Sequence, residues 1–346
     1  MTAATKSEPG QSAAQAELTR RSQSPGQRIQ HVLHARPWMS PLVILVLTVI
    51  AFSIINPRFA TANSMSLLVQ QTAVVAALAL GQTLVILTAG IDLSVGAMTI
   101  LAMMVMATLA SEGGVPGPLA LLIGVLLGLA AGWINGLLVT RVNLPPFIVT
   151  LATLGIFTSI ALIYSGGSSI QAIKLPDIIN WTGTSIPLGP FRVTTGILIV
   201  VLMYAIIGFA LSQTAWGRHV YAVGDDPESA RLSGIASKRV LLSVYAVAGF
   251  IFGIAAWVQI GRAGAATPNS IADGNLNSIT AVVIGGTSLF GGRGGVLGTL
   301  LGALIVQAFV TGLALAGVDQ NYRLFAVGIL ILLAVSFDQW IRKVKS

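Results

Sequence analysis

Ten apolar segments of membrane-spanning length follow one another along the chain: 38–55, 67–88, 93–110, 119–139, 147–164, 194–211, 240–260, 276–290, 296–316 and 324–341. About 20 apolar residues in helical form cross a hydrocarbon core. No water reaches the backbone there, so each segment must close its own hydrogen bonds as a helix. The eighth segment has only 15 residues and carries Gly285 and Gly286, which marks it as tilted, broken or re-entrant. The pattern predicts an all-α polytopic membrane protein of about ten transmembrane helices, within a range of nine to eleven. A single large soluble core is excluded by the shortage of polar residues. Only 9% of the chain is charged and 55% is hydrophobic, whereas soluble domains carry about 25% charged residues.

The net charge of +8 finds its explanation in where the cations fall. With the N-terminus inside and ten spans, fourteen Lys and Arg lie on the inner side and five on the outer side. That asymmetry predicts cytoplasmic N- and C-termini and removes the need for a nucleic-acid partner. Residues 1–37, rich in Ser, Gln, Ala and Pro, read as a disordered basic cytoplasmic tail. The tail has no apolar run of the signal-peptide type. The expected organisation is this tail, a membrane domain over 38–341, and a cytoplasmic C-terminus at 342–346. Within the membrane domain lie an inner loop at 213–239 and an outer loop at 166–192.

Several chemistries are absent. There is no cysteine, so there is neither a disulfide framework nor a thiolate metal site. No lysine follows a glycine, so no phosphate-binding G-x-x-x-x-G-K-[ST] loop exists and the chain does not hydrolyse ATP by itself. His31, His34 and His219 all fall outside the spans, which removes histidine-based intramembrane catalysis and metal binding. GGRGGVLG (291–298) follows an apolar helix rather than a βα unit, so it is not a dinucleotide loop. The chain is expected to be no enzyme and to hold no cofactor or metal. Glycines at 124, 128, 132 and 136, and at 294, 298 and 302, recur every four residues. Such stripes let helix backbones approach closely, for packing or for sliding.

The inner loop carries a short helix signal in DDPESARLSGI (225–235). Asp226 is a good N-cap, Pro227 suits the first helical position, Glu228 favours the positive end of the dipole, and Gly234 suits the C′ position. Seven residues rise only about 10 Å and are unstable alone, so this helix needs the membrane core or a docked partner.

GRHVYAVGDDPESARLSGI (217–235) resembles the cytoplasmic coupling segment of sugar-importing ABC permeases of the ribose/xylose/fructose group. AGIDLSVGAM (89–98), NLPPFIVTLATLG (143–155) and ITAVVIGGTSLFGGRGGVLGTLLGALIV (279–306) are similar to other stretches of that group, and the likeness covers roughly 40–341. VYAVGDDPE, SLFGGRG and DQWIRKV look most like fructose import permeases. The resemblance implies a homodimer, a cytoplasmic ATPase with two nucleotide-binding domains that holds ATP and Mg, and an outer sugar-binding protein. It implies that Gly217, Arg218, Gly224, Asp225, Asp226, Pro227, Glu228, Ala230, Arg231 and Gly234 couple the permease to the ATPase. Arg218 and Arg231 are then available for acidic partners. The outer loop, with Lys174, Asp177, Trp181 and Arg192, becomes a candidate dock for the binding protein or an interfacial segment.

Asp92 is the one ionisable residue between Arg58 and Glu112. Two readings stand: Gly90 ends one helix and Asp92 caps the next, or the helix breaks in mid-membrane and Asp92 faces the sugar path. Gly90-x-x-Leu93-x-x-Gly96 is echoed by Gly286-x-x-Leu289-x-x-Gly292, and interrupted segments in matching halves flank many transport paths. Gln70, Gln71, Gln82, Asn135 and Asn277 offer donors and acceptors for sugar hydroxyls, and Phe147 an apolar face; each also suits interhelical bonding. Two rivals remain: a permease for branched-chain amino acids, and an ion-coupled carrier, disfavoured by the scarcity of intramembrane charge.

Overall fold

The computed structural model describes residues 38–271 and 273–343. The expected basic tail (1–37) and residues 344–346 of the expected C-terminal segment lie outside the described residues. The helices are α1 (Met39–Ile55), α2 (Ala62–Leu87), α3 (Val95–Ser111), α4 (Gly117–Thr140), α5 (Pro146–Ser165), the single turn α6 (Asp177–Asn180), α7 (Thr195–Gln213), α8 (Ala215–Asp225), α9 (Pro227–Leu232), α10 (Ser237–Ala263), α11 (Gly274–Ile284), α12 (Val296–Leu315) and α13 (Gln320–Lys343). Each of the ten apolar segments falls on one of these helices. Among the described residues, α2, α4, α5, α7, α10 and α12 are long and apolar enough to cross a membrane, and α1, α3 and α11 are shorter apolar helices.

The segments at each helix end touch one another, which sorts the loops into two groups. At one end, Asn56 Nδ2 donates to Leu315 O and the Arg192 N–H donates to Ser66 Oγ. At the other, Lys238 Nζ donates to Asn143 Oδ1 and Gly292 N–H to Leu87 O. The all-helical expectation needs one amendment at the first end. Strands β1 (Ile170–Gln171) and β4 (Ala265–Ala266) pair antiparallel, and β2 (Ser185–Leu188) and β3 (Phe191–Thr194) form a hairpin around Gly189 at φ +61°. The loop 166–192 is therefore folded and rests on the end of α10: Thr182 Oγ1 donates to Trp257 O, Trp257 Nε1 donates to Ile178 O, and the Trp181 and Trp257 rings stack 5.8 Å apart.

Helix α2 is the axis of the fold. From Ala76 to Thr88 every residue is buried, as expected of a helix apolar all round. Beside it, α4 crosses α10 backbone to backbone. A Cβ on Gly128 would lie 2.6 Å from Gly249 O, and one on Gly132 would lie 2.3 Å from Tyr245 O. Gly124 faces Met106 of α3 instead. The second stripe is shorter than its spacing predicts. Gly298 and Gly302 pack on Gly285 and Ala281 of α11, whereas Gly294, at φ +132°, lies in the coil before α12.

Gly132→Ala should therefore force α4 from α10 and lower stability by about 1–3 kcal/mol, the usual cost of overpacking. Gly155→Ala, where a Cβ meets nothing within 4 Å, should be neutral or slightly stabilising. Thermal unfolding in detergent checks both, and equal losses would contradict the packing described.

Candidate functional site

The loop 213–239 folds into two consecutive helices. In α9, Asp226 Oδ1 accepts from the amides of Glu228 (2.9 Å) and Ser229 (3.2 Å), while Oδ2 accepts from Ser229 Oγ (2.6 Å). Pro227 fills the first position. Gly234, at φ +85°, closes the far end: its N–H donates to Arg231 O, and Ile235 N–H donates to Ala230 O. This is a Schellman motif, and the predicted short helix stands with its predicted caps. The Ser229 hydroxyl and the two amides hold the Asp226 carboxyl below the usual carboxylate range. Arg231 donates through Nε and Nη2 to both Glu228 oxygens, 3.0 and 2.6 Å away, so its guanidinium is already engaged within the helix. The pair lowers the Glu228 pKa and raises that of Arg231. Arg218, Asp225 and Leu232 are exposed, and Ala230 is buried beneath them.

The preceding helix, α8, was not anticipated. Thr214 caps it by accepting from Gly217 N–H, and Gly217, Val220, Val223 and Gly224 form its buried face. Gly217 and Gly224 allow close backbone approach: a Cβ on Gly217 would lie 2.1 Å from Leu211 O, and one on Gly224 would lie 1.8 Å from Leu87 O.

Two helix breaks lie against α8. Helix α2 ends in a Schellman motif in which Ala89, at φ +58°, takes the left-handed position, and Gly90 N–H donates to Val85 O. The expectation that Gly90 itself makes this turn is thus off by one residue. Gly90 is small because a Cβ there would sit 3.0 Å from both Tyr245 Oη and Val85 Cγ1. Helix α11 ends in the same way, with Gly286 at φ +82° and Thr287 N–H donating to Val282 O. The two breaks do match, but Gly286 corresponds to Ala89 rather than to Gly90.

Asp92 is fully buried. Its Oδ1 accepts from Ser94 N–H (2.7 Å) and Ser94 Oγ (2.6 Å). It therefore organises the turn before α3, while the first turn of α3 is capped by a residue that sequence reasoning missed. Asn275 Oδ1 accepts from Gly96 N–H (2.8 Å), and Asn275 Nδ2 donates to Leu93 O. Asn135 Nδ2 donates to Ser94 Oγ (2.9 Å), and Thr150 Oγ1 donates to Ile91 O (3.0 Å). The loop is thus tied to α4, α5 and α11. Asp92 Oδ2, Asn135 Oδ1, Tyr245 Oη and both polar ends of Gln82 are among the buried polar atoms left without a protein partner among the described residues, as is Thr287 Oγ1 at the second break.

The other candidates for a solute path lie apart. Gln70 donates to Arg192 O at the hairpin, and Gln71 accepts from Gln307 Nε2 of α12. Both sit at least about 24 Å along α2 from its break at 1.5 Å per residue; Gln71 bonds α2 to α12, and Gln70 ties α2 to strand β3. Phe147 is half-exposed on α5, and Asn277 is partly buried on α11.

A protein-family profile described as the permease component of branched-chain amino acid transport systems matches residues 64–335. The chain belongs to this permease family. It is a multi-pass protein of the cytoplasmic membrane. The permease is 45% identical to a fructose import permease of Rhizobium meliloti, over 92% of this chain and 89% of that one. It is 37% identical to a ribose import permease of Bacillus subtilis (87% and 92%) and 36% identical to a D-allose transport system permease of Escherichia coli (87% and 91%). No solved structure matches it.

Asp92→Asn keeps an Oδ1 acceptor for Ser94 and should leave stability nearly unchanged. Asp92→Leu strands a buried N–H and hydroxyl and should cost about 1–3 kcal/mol. Equal unfolding temperatures would remove this role. The Asp226 cap should follow pH in a defined direction. Its folded pKa is depressed, so its stabilisation is complete above the ordinary carboxylate range and is lost as pH falls through the lowered value. Hydrogen exchange at the Ser229 amide, corrected for intrinsic rate, should show protection at neutral pH that disappears in acid.

Proposed function

We propose that this permease is the membrane subunit of an ABC importer for a monosaccharide, fructose or a ribose-like sugar, driven by a separate ATPase. The observation that carries this reading is agreement among its relatives: the three above are all named for sugars, and the first is matched over nearly the whole chain. The family description names branched-chain amino acids, so the sugar reading rests on those relatives.

In this reading the chain works as a homodimer with ten spans and both termini in the cytoplasm. An ATPase with two nucleotide-binding domains holds ATP and Mg, and an outer sugar-binding protein delivers the solute at the loop 166–192. Helix α9 is the cytoplasmic coupling knob. Its N-cap, Schellman end and internal ion pair give a six-residue helix the stiffness it would lack alone. Arg218, Asp225 and Leu232 are exposed beside it for the ATPase. Access alternates as the ATPase halves close and open. The unpartnered polar groups of Gln82, Asp92, Asn135 and Tyr245 are suited to sugar hydroxyls or water, and such pairing requires the surrounding helices to part. Unpaired buried groups of this kind are otherwise costly.

Liposomes holding the permease and its ATPase, supplied with sugar-loaded binding protein, should accumulate sugar only with ATP. Accumulation driven by an ion gradient without the ATPase would overturn the reading. Competition by leucine but not by fructose or ribose would favour the amino-acid alternative. Replacing Asp226-Pro227 by Gly-Gly should uncouple hydrolysis from uptake while the protein still inserts, and unchanged uptake would refute the coupling role of α9.

A further inference from the structure

Helix α8 joins the coupling knob to the membrane core, and its inner face meets both helix breaks at one point. Gly292 N–H donates to Leu87 O at 3.0 Å, so the coil after α11 is bonded to the last turn of α2. Gly224 sits on that bond: a Cβ there would fall 1.8 Å from Leu87 O and 2.8 Å from Gly292 N. Across the contact, a Cβ on Gly291 would meet Gly224 O at 2.4 Å, and one on Gly292 would meet Asp225 Cα at 2.8 Å. Three backbones therefore converge where no side chain fits. A fourth contact fixes the direction of α8, because Tyr221 Oη donates to Gly294 O at 2.9 Å.

Each arm of this junction is stiff. The coil after α11 is closed on itself by Ser288 N–H donating to Arg293 O at 2.9 Å and Gly291 N–H donating to Ser288 O at 3.1 Å. The arm from Leu87 to Asp92 starts with a Schellman turn and is held by Thr150, Ser94 and Asn275. On the knob side, Asp226 alone separates α8 from α9. A displacement of α9 thus meets a continuous series of hydrogen bonds and backbone contacts leading to both breaks.

We infer that Tyr221 and Gly224 are positioning residues that clamp the two interrupted helices to the coupling knob, so that one input from the ATPase moves both breaks, and the buried polar cluster at Asp92, as a unit. This rests on the coupling role proposed for α9, and it assigns what receives the motion. Neither residue needs to touch solute or ATPase: Gly224 is buried and the Tyr221 hydroxyl is spent on Gly294.

The test uses the permease reconstituted with its ATPase and sugar-loaded binding protein, and reads sugar taken up per ATP hydrolysed. Tyr221→Phe removes one hydrogen bond and keeps the ring; the ratio should fall about fivefold, the size of one hydrogen bond. Gly224→Ala should lower it further, since the junction must open. Hydrogen exchange gives a second readout. In the wild type, trapping the ATPase with vanadate should change protection in 88–94 and 285–295 together, and in Tyr221→Phe the two segments should respond unequally. A merely structural role would lower stability, uptake and hydrolysis in parallel, leaving the ratio and the joint response as in the wild type, and that result overturns the clamp. If Gly224→Ala fails to fold, Tyr221→Phe decides alone. If the Asp226-Pro227→Gly-Gly variant stays fully coupled, the role of α9 has failed and the clamp with it. If that variant uncouples while Tyr221→Phe matches the wild type in both readouts, only the clamp has failed.

Discussion

A helix interrupted inside a protein exposes carbonyls and amides that its own turns no longer satisfy, and in a membrane no solvent stands by to take them. The hydrogen bond from Gly292 N–H to Leu87 O is where this chain meets that constraint. It closes one break with the other. Helix ends that would each need a cap are answered mutually, by Schellman turns in both and by Asn275 spanning Leu93 and Gly96. The end of the fold that carries both breaks depends on this closure. Without it Leu87 O and Gly292 N–H would lose their partners, and the two breaks would no longer be bonded to each other.

The close approach that allows this closure comes from residues with little or no side chain. Van der Waals packing and bonding between helices, rather than exclusion of water, hold a bundle together in lipid. The contact of Gly128 and Gly132 with α10, and of Gly298 and Gly302 with α11, brings main chain against main chain over long stretches. Hydroxyls then bridge the remaining gaps, as Thr83 does with Thr299 at 2.8 Å. Large apolar side chains fill the core where there is room, as Phe252 and Met103 do, and others, such as Ile163, Phe209 and Leu333, are exposed at the periphery. Most buried polar side chains among the described residues find partners, and Asp92 Oδ2, Asn135 Oδ1 and both polar ends of Gln82 are among the exceptions.

What could be read in the sequence was whatever depends on local pattern. The helical segments follow from runs of apolar residues. The caps of α9 follow from Asp226, Pro227 and Gly234, each acting within three residues of its own position. The glycine stripe of α4 was legible because its spacing is a property of one helix. What escaped depends on partners distant in sequence. Asn275 caps α3 across 179 residues, and nothing around it distinguishes that asparagine from Asn277. Helix α8 had a signal that went unread: Thr214 as a cap, then buried positions at 217, 220 and 224. So did the hairpin, announced by Gly189-Pro190 between short extended runs. The left-handed turn at Ala89 was hidden because it occupies a position where glycine is the usual residue.

Helix α11 spans Gly274–Ile284, a rise of about 16 Å and roughly half a hydrocarbon core. Such a segment is a poor substrate for the insertion machinery, which partitions a nascent helix by its own length and apolarity. Its route into the bilayer runs through α12, whose Gly298 and Gly302 receive Gly285 and Ala281. The two must enter as a hairpin, the longer segment carrying the shorter.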